Sequence, residues 1–309
     1  GEGEGEGGAA PRLRPEEALG VLDALASLRL DAGLGGLWGE LEALALAGGP
    51  EALAPGELAG LCRALFVARR AEGRLDDVRR FLVSLAGPVL ALDSPSWATR
   101  EGSLLRGHLL LLRSALRYLH REAYRALPEG VSRALRQVHR LDQPARRLRP
   151  VVSFTRKLSA ILTRMKVGHT CNVSKGPFVL DIVERDRKIV YECNHFDRFY
   201  SGTVEKTASM CLQERIVKAM GYRVVQVPHW QWNKIKHRRQ RVEYIRMSRY
   251  YAIKDRREFA PRDEAPQDMA SNELDHLGEY FFRKEMPTSS WSWFQPKYDP
   301  AERLHRHWR

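Results

Sequence analysis

Between Lys234 and Arg257 the chain places ten basic residues and two acids in 24 positions, a net charge of +8. Guanidinium and ammonium groups at this density give sequence-independent affinity for phosphate. Trp230, Trp232, Tyr250 and Tyr251 border the run and offer ring faces to unpaired bases. A helix needs little net charge for solubility, so the excess points to a polyanion. The candidate nucleic-acid residues are Lys234, Lys236, Arg238, Arg239, Arg241, Arg246 and Arg249. Trp232 is added as the ring nearest to them in sequence, although tryptophans more often pack in cores.

Other reactive residue types give weaker patterns. His169-x-Cys171 and Cys193-x-His195 supply zinc-type ligands, but structural zinc usually takes Cys-x2–4-Cys or wider His spacing. His139-Arg140-Leu141-Asp142 echoes a kinase catalytic loop, with an extra residue and no metal-binding partner downstream. Gly3-x-Gly5-x-x-Gly8 has a nucleotide-loop spacing with no strand before it. Arg113, Arg117, Arg121 and Arg125 recur every four residues, which lines one helix face and is read first as a solvated one. No metal and no cofactor are expected.

The whole chain has 309 residues, 51 Lys+Arg against 38 Asp+Glu, and a net charge of +13. The excess is uneven. Residues 1–150 hold 21 Arg and 19 acids, and residues 151–309 hold 30 Lys+Arg and 19 acids. The first part also lacks Lys, Ile, Asn and Met altogether, as expected of GC-rich coding drift in a tolerant segment. The longest aliphatic run, Leu109–Leu112, is far short of the ~20 residues of a membrane span. Four scattered cysteines (Cys62, Cys171, Cys193, Cys211) suit a reducing compartment rather than a disulfide scaffold. The chain begins at Gly1 rather than Met, as expected of a processed precursor or a piece of a longer protein.

The periodicity divides the chain. Residues 1–14 are Gly/Glu-rich and are expected to be disordered. Residues 15–150 read as helices over 15–30, 37–47, 56–72, 74–92, 95–126 and 129–141. Pro15, Pro55 and Pro95 suit first turns, with Ser94 as an N-cap. These starts recur about every forty residues, the spacing of helical-hairpin repeats stacked in a solenoid-like array, with an irregular helical bundle as the alternative. The second half changes character over 151–257. An amphipathic helix over 154–167 turns Leu158, Ile161, Leu162 and Met165 inward. Strand-like runs at 178–183 and 189–194 form a hairpin, a helix covers 203–220 and ends at Gly221, and a strand follows at 222–227. The expected fold class is therefore α + α/β. Residues 258–309 carry five prolines and exposed-looking Trp291, Trp293, Phe294 and Trp308, as expected of an extended tail that a partner covers.

The stretch CLQERIVKAMGYRVVQVPHWQW, Cys211–Trp232, resembles the closing signature of a RAP domain. In that family a helix ends in Gly, a strand of valines follows, then Val-Pro, an aromatic, and a Trp two or three residues on. The match covers about 154–236. It implies a restriction-endonuclease-like α/β fold, placed C-terminal to helical repeats in organellar proteins of RNA processing or translation, including the FAST-kinase-related proteins.

The resemblance also implies two acidic positions. In the nuclease fold an Asp and a Glu from adjacent strands hold a divalent metal, and a Lys two residues after the Glu helps to activate water. Asp181 and Glu192 fit the carboxylates. Asn194 stands at the Lys position and cannot take its role. Gln213 occupies a helical position that is often Lys, and His195-Phe196 replaces a usual Gly-Pro. No catalytic residue is therefore expected. The alternative is a metal-dependent endoribonuclease using Asp181, Glu192 and Gln213, or an adaptor for an RNA-processing enzyme.

The expected function is non-catalytic RNA binding in mitochondrial RNA metabolism or translation, as a ribosomal-RNA-binding component of the mitochondrial ribosome. Its partners would be ribosomal RNA and neighbouring ribonucleoprotein subunits, without a membrane. The matrix is the expected location, with a plastid as the alternative. About three helical hairpins are too few to select one transcript at about one base per repeat.

Overall fold

The computed structural model describes residues 13–30, 33–141 and 152–258. The Gly/Glu segment up to 12, the arginine-rich connection at 142–151 and the tail from 259 lie outside the described residues. The chain divides into two compact units. One takes in 1–148, 174–178 and 207–220; the other takes in 149–173, 179–206 and 221–309.

The first unit is helical. Its elements are α1 (Pro15–Leu28), α2 (Gly35–Ala45), α3 (Pro55–Val67), α4 (Leu75–Ala91), α5 (Ser94–Ala98), α6 (Arg100–Leu119), α7 (Arg121–Arg125) and α8 (Glu129–Leu141). Helices α1 and α3 start by the same device. Each has Pro at its first position, and the Glu two residues later accepts the amide of the residue before the helix. Glu17 takes that of Arg14 at 2.8 Å and Glu57 that of Ala54 at 2.9 Å. This satisfies a donor that the first turn leaves over. Helix α1 packs on α2 and α3, α3 on α4 and α6, and both α4 and α6 on α8. α1, α3 and α6 thus pack in sequence against one another.

The long helix expected over 95–126 is three helices. Asp93, not Ser94, caps α5, its carboxylate accepting the Ser96 amide at 3.1 Å. Thr99 caps α6 through the Gly102 amide at 3.0 Å. Gly102 must be glycine here, because a Cβ would lie 2.1 Å from the carbonyl oxygen of Ser96. His120 leaves helical geometry at φ −130°, ψ 63° and separates α6 from α7. Arg113 and Arg117 therefore share a helix face that Arg121 and Arg125 do not continue.

The second unit holds α9 (Ser153–Arg164), β1 (Thr170–Lys175), β2 (Phe178–Glu184) and β3 (Ile189–Asn194). After the crossover helix α10 (Ala208–Ala219) come β4 (Arg223–Pro228), α11 (His229–Lys234) and α12 (Arg238–Glu258). The sheet order is β1-β2-β3-β4. β2 and β3 are an antiparallel hairpin with Ile182 opposite Tyr191. β3 and β4 run parallel, with Ile189 opposite Arg223 and Asn194 opposite Pro228, as the intervening crossover requires. All six residues of β3 are buried. Leu158, Ile161 and Leu162 of α9 meet Ile182, Tyr191, Val225, Val227 and Ile245 in one apolar cluster.

Strand β1 was not expected from the sequence. Its residues, Thr-Cys-Asn-Val-Ser-Lys, are polar and half-exposed, as an edge strand allows, and Asn172 has a positive φ of 52°. Helix α10 clusters with the first unit and packs on α1, α3 and α6 there. Among the described residues no helix is long and apolar enough to cross a membrane.

Candidate nucleic-acid interface

Pro228 ends β4, and the basic run continues through α11 and α12. Helix α12 packs on β4 and α9, with buried Tyr244 and Ile245 in the shared apolar cluster. Lys234, Lys236, Arg238, Arg239 and Arg246 are exposed. Arg246 pairs with Glu243 on the same helix at 2.7 Å.

The other three residues of the expected set have different roles. Arg241 donates from Nε to the Ile235 carbonyl at 2.8 Å, and its guanidinium lies 5.0 Å from the Trp232 ring centroid. Arg249 grips Glu184 with two hydrogen bonds, Nη2 to Oε1 at 2.7 Å and Nε to Oε2 at 3.0 Å. Glu184 is 3% exposed and also accepts from the Tyr191 hydroxyl at 3.0 Å. Trp232 is 2% exposed and packs against Phe154 with ring centroids 5.5 Å apart, so it presents no face to a base. The correction follows from helical spacing. Arg241 and Arg249 lie four residues before and after buried Ile245 and so share its inward stripe. The two groups set each other's charge. Hydrogen bonding to Glu184 raises the Arg249 pKa. Burial would push the Glu184 carboxyl up, but Arg249, Tyr191 and Arg187 outweigh it and hold it below its ordinary value.

The acidic pair sits on neighbouring strands, and internal cations hold both members. Asp181 accepts the Cys193 amide at 2.8 Å and Arg198 Nη2 at 2.9 Å. Glu192 is 1% exposed, with Lys206 Nζ 3.4 Å from its carboxylate. The second guanidinium nitrogen of Arg198 donates to Asn194 at 3.3 Å, and the Asn194 amide donates to Gln226. Burial would lower the Arg198 pKa, but the Asp181 charge and hydrogen bond raise it further. A metal ion at this pair would have to displace Arg198 and Lys206, and a polar asparagine stands where a base is needed. The donor set does not fit a divalent ion. Among the described residues no group of three or more His, Cys, Asp or Glu is arranged as a metal site.

Gln213 is half-buried on α10, in the first unit. His169 bonds to the Val167 carbonyl through Nδ1 at 2.9 Å and to the Ser159 hydroxyl through Nε2 at 2.7 Å. His195 sits edge-on to Phe154 at 5.2 Å. Burial pushes the Cys193 thiol up to about 12, which keeps it from acting as a thiolate ligand or nucleophile.

Residues 191–247 match the family model of the RAP domain. The chain carries a RAP domain. The match runs from Tyr191 in β3 through α10, β4 and α11 to Met247 in α12. No curated protein matches the chain at a significant level. A RAP domain points the chain to RNA binding. Sequence reasoning missed the two cations that hold the acidic pair, Arg198 and Lys206, which fall between β3 and α10 and carry no motif of their own.

Proposed function

We propose that the chain is a non-catalytic RNA-binding protein that contacts the phosphate backbone through α11 and the outer face of α12. The observation that carries this reading is the exposure of Lys234, Lys236, Arg238, Arg239 and Arg246 on a RAP domain whose carboxylates are paired internally. Phosphate contact of this kind fixes position without reading sequence. We further propose that the bound RNA is ribosomal and that the protein works in the mitochondrial matrix as a component of the mitochondrial ribosome. Concentrated but unspecific charge, few helical hairpins and an aromatic tail support a stable ribonucleoprotein subunit over a transcript selector. Crosslinking the native protein and sequencing the attached RNA tests this directly. Enrichment of ribosomal RNA is expected, and a set of messenger RNAs in its place would overturn the ribosomal assignment.

Asp181→Asn combined with Glu192→Gln tests the absence of catalysis. The variant should bind RNA as the wild type does, because neither carboxylate lies among the exposed cations. It should be less stable, at roughly 1.5–3 kcal/mol for each charged hydrogen bond weakened. Wild-type protein should leave RNA intact in Mg²⁺. Mg²⁺-dependent cleavage by the wild type that the double variant lacks would establish a nuclease instead.

A further inference from the structure

We propose that Phe196, His229 and Trp230 form a stacking platform for one unpaired RNA base, with Lys234 holding the adjoining phosphate; this rests on the RNA-binding reading above. Phe196 is 76% exposed, the most exposed of the large apolar side chains among the described residues. Its ring meets the His229 ring at 6.3 Å and 78°, and His229 meets Trp230 at 5.1 Å and 80°. Phe199, buried, supports Trp230 from behind at 4.5 Å. Phe196 leaves most of its ring in water, held edge-to-face against part-exposed His229, an arrangement that suits a flat aromatic ligand.

The position fits a ligand site. Phe196 follows the end of β3 and His229 follows the end of β4, and these ends are side by side because Asn194 pairs with Pro228. Open α/β sheets take ligands outside the carboxyl ends of their parallel strands. Charge selects the ligand class. Trp230 and exposed Lys234 are four residues apart on α11, so they share a face. Exposed Lys236 and Arg238 follow directly in the chain. A ring face beside a row of cations matches a base attached to a phosphate backbone. A base in a duplex is stacked on both sides and cannot reach the platform, so the ligand is single-stranded.

Phe196→Ala in the full chain tests this, with a short oligouridylate and a blunt RNA duplex of equal nucleotide count as probes. Phe196 is 76% exposed, so the variant should fold. Affinity for the oligouridylate should fall roughly tenfold, within the range measured for removing one stacking ring. Duplex affinity and the salt dependence of both should stay unchanged, and Phe196→Trp should restore single-strand binding. Unchanged oligouridylate affinity, or an equal loss on the duplex, would overturn the platform while leaving phosphate binding in place. Failure of the wild type to bind either probe would overturn both the platform and the RNA-binding reading.

Discussion

Arg249→Ala should destabilise the sheet unit by about 3 kcal/mol, the lower end of the cost of breaking a buried ion pair. Glu184 is 3% exposed, and without Arg249 its carboxylate would retain the Tyr191 hydroxyl and a distant Arg187 at 3.9 Å. The thermal midpoint should fall by roughly 6–12 °C. Exposed Arg246→Ala, three residues earlier, should move it by less than about 0.5 kcal/mol equivalent. A midpoint for Arg249→Ala within a degree of the wild type would show that the pair contributes no stability. RNA affinity of any folded Arg249→Ala protein should match the wild type, because this guanidinium faces the core.

The same pair predicts a pH dependence. The folded-state pKa of Glu184 lies below its ordinary value of 4.5. Its contribution is therefore present above pH 4.5 and is lost as pH falls through the lower folded value. In Arg249→Ala the main lowering influence is gone and burial raises the carboxyl instead. The deficit of the variant should then shrink on acidification, because protonation removes the uncompensated charge. Denaturant midpoints of both proteins from pH 7 to pH 3 should converge; a constant gap would remove Glu184 from the account.

The apolar, β-branched runs at 178–183 and 189–194 were legible as a hairpin, and the β-branched run before Pro228 marked β4. Strand β1 was not legible because its six residues are polar and edge pairing depends on β2 rather than on its own pattern. The helical half was legible in its Pro-x-Glu starts. The break at His120 was not, since Leu116 and Leu119 before it and Ala123 and Leu127 after it keep an apolar helical spacing. At the site, the sequence carries the residue types but not their orientations. The charge of 234–249 was visible, but counting charges treats Arg241, Arg246 and Arg249 alike. Their spacing from Ile245 separates them, and that anchor is certain only once β4 and α9 are seen beneath it. Asp181 and Glu192 were found through the resemblance. Their partners, Arg198 and Lys206, come from a segment that no motif covers, and only the fold brings them to the acids.

Replacing Lys234, Lys236, Arg238 and Arg239 together with Ala should flatten the salt dependence of RNA binding by about 2.8 log units of affinity per log unit of salt, if each cation makes one contact to a single strand. All four are exposed, in α11, in the segment that leads into α12 or in its first turn, and exposed substitutions usually change stability by little. The fold should therefore persist, with an unchanged far-ultraviolet spectrum and thermal midpoint. Binding should weaken by a similar factor on unrelated sequences, because phosphate contacts carry no base information. The loss should be greatest at low salt and fade as salt rises, since the counterions released by the wild type are then already in competition. Arg241→Ala makes the informative contrast. Its guanidinium supports Ile235 and Trp232, so it should lower stability and leave the salt slope almost unchanged. A quadruple variant with the wild-type slope would place the phosphate contacts elsewhere in the chain. A flattened slope for Arg241→Ala would mean that this arginine leaves Trp232 to meet the RNA, and the assignment of inner and outer faces on α12 would have to be reversed at that position.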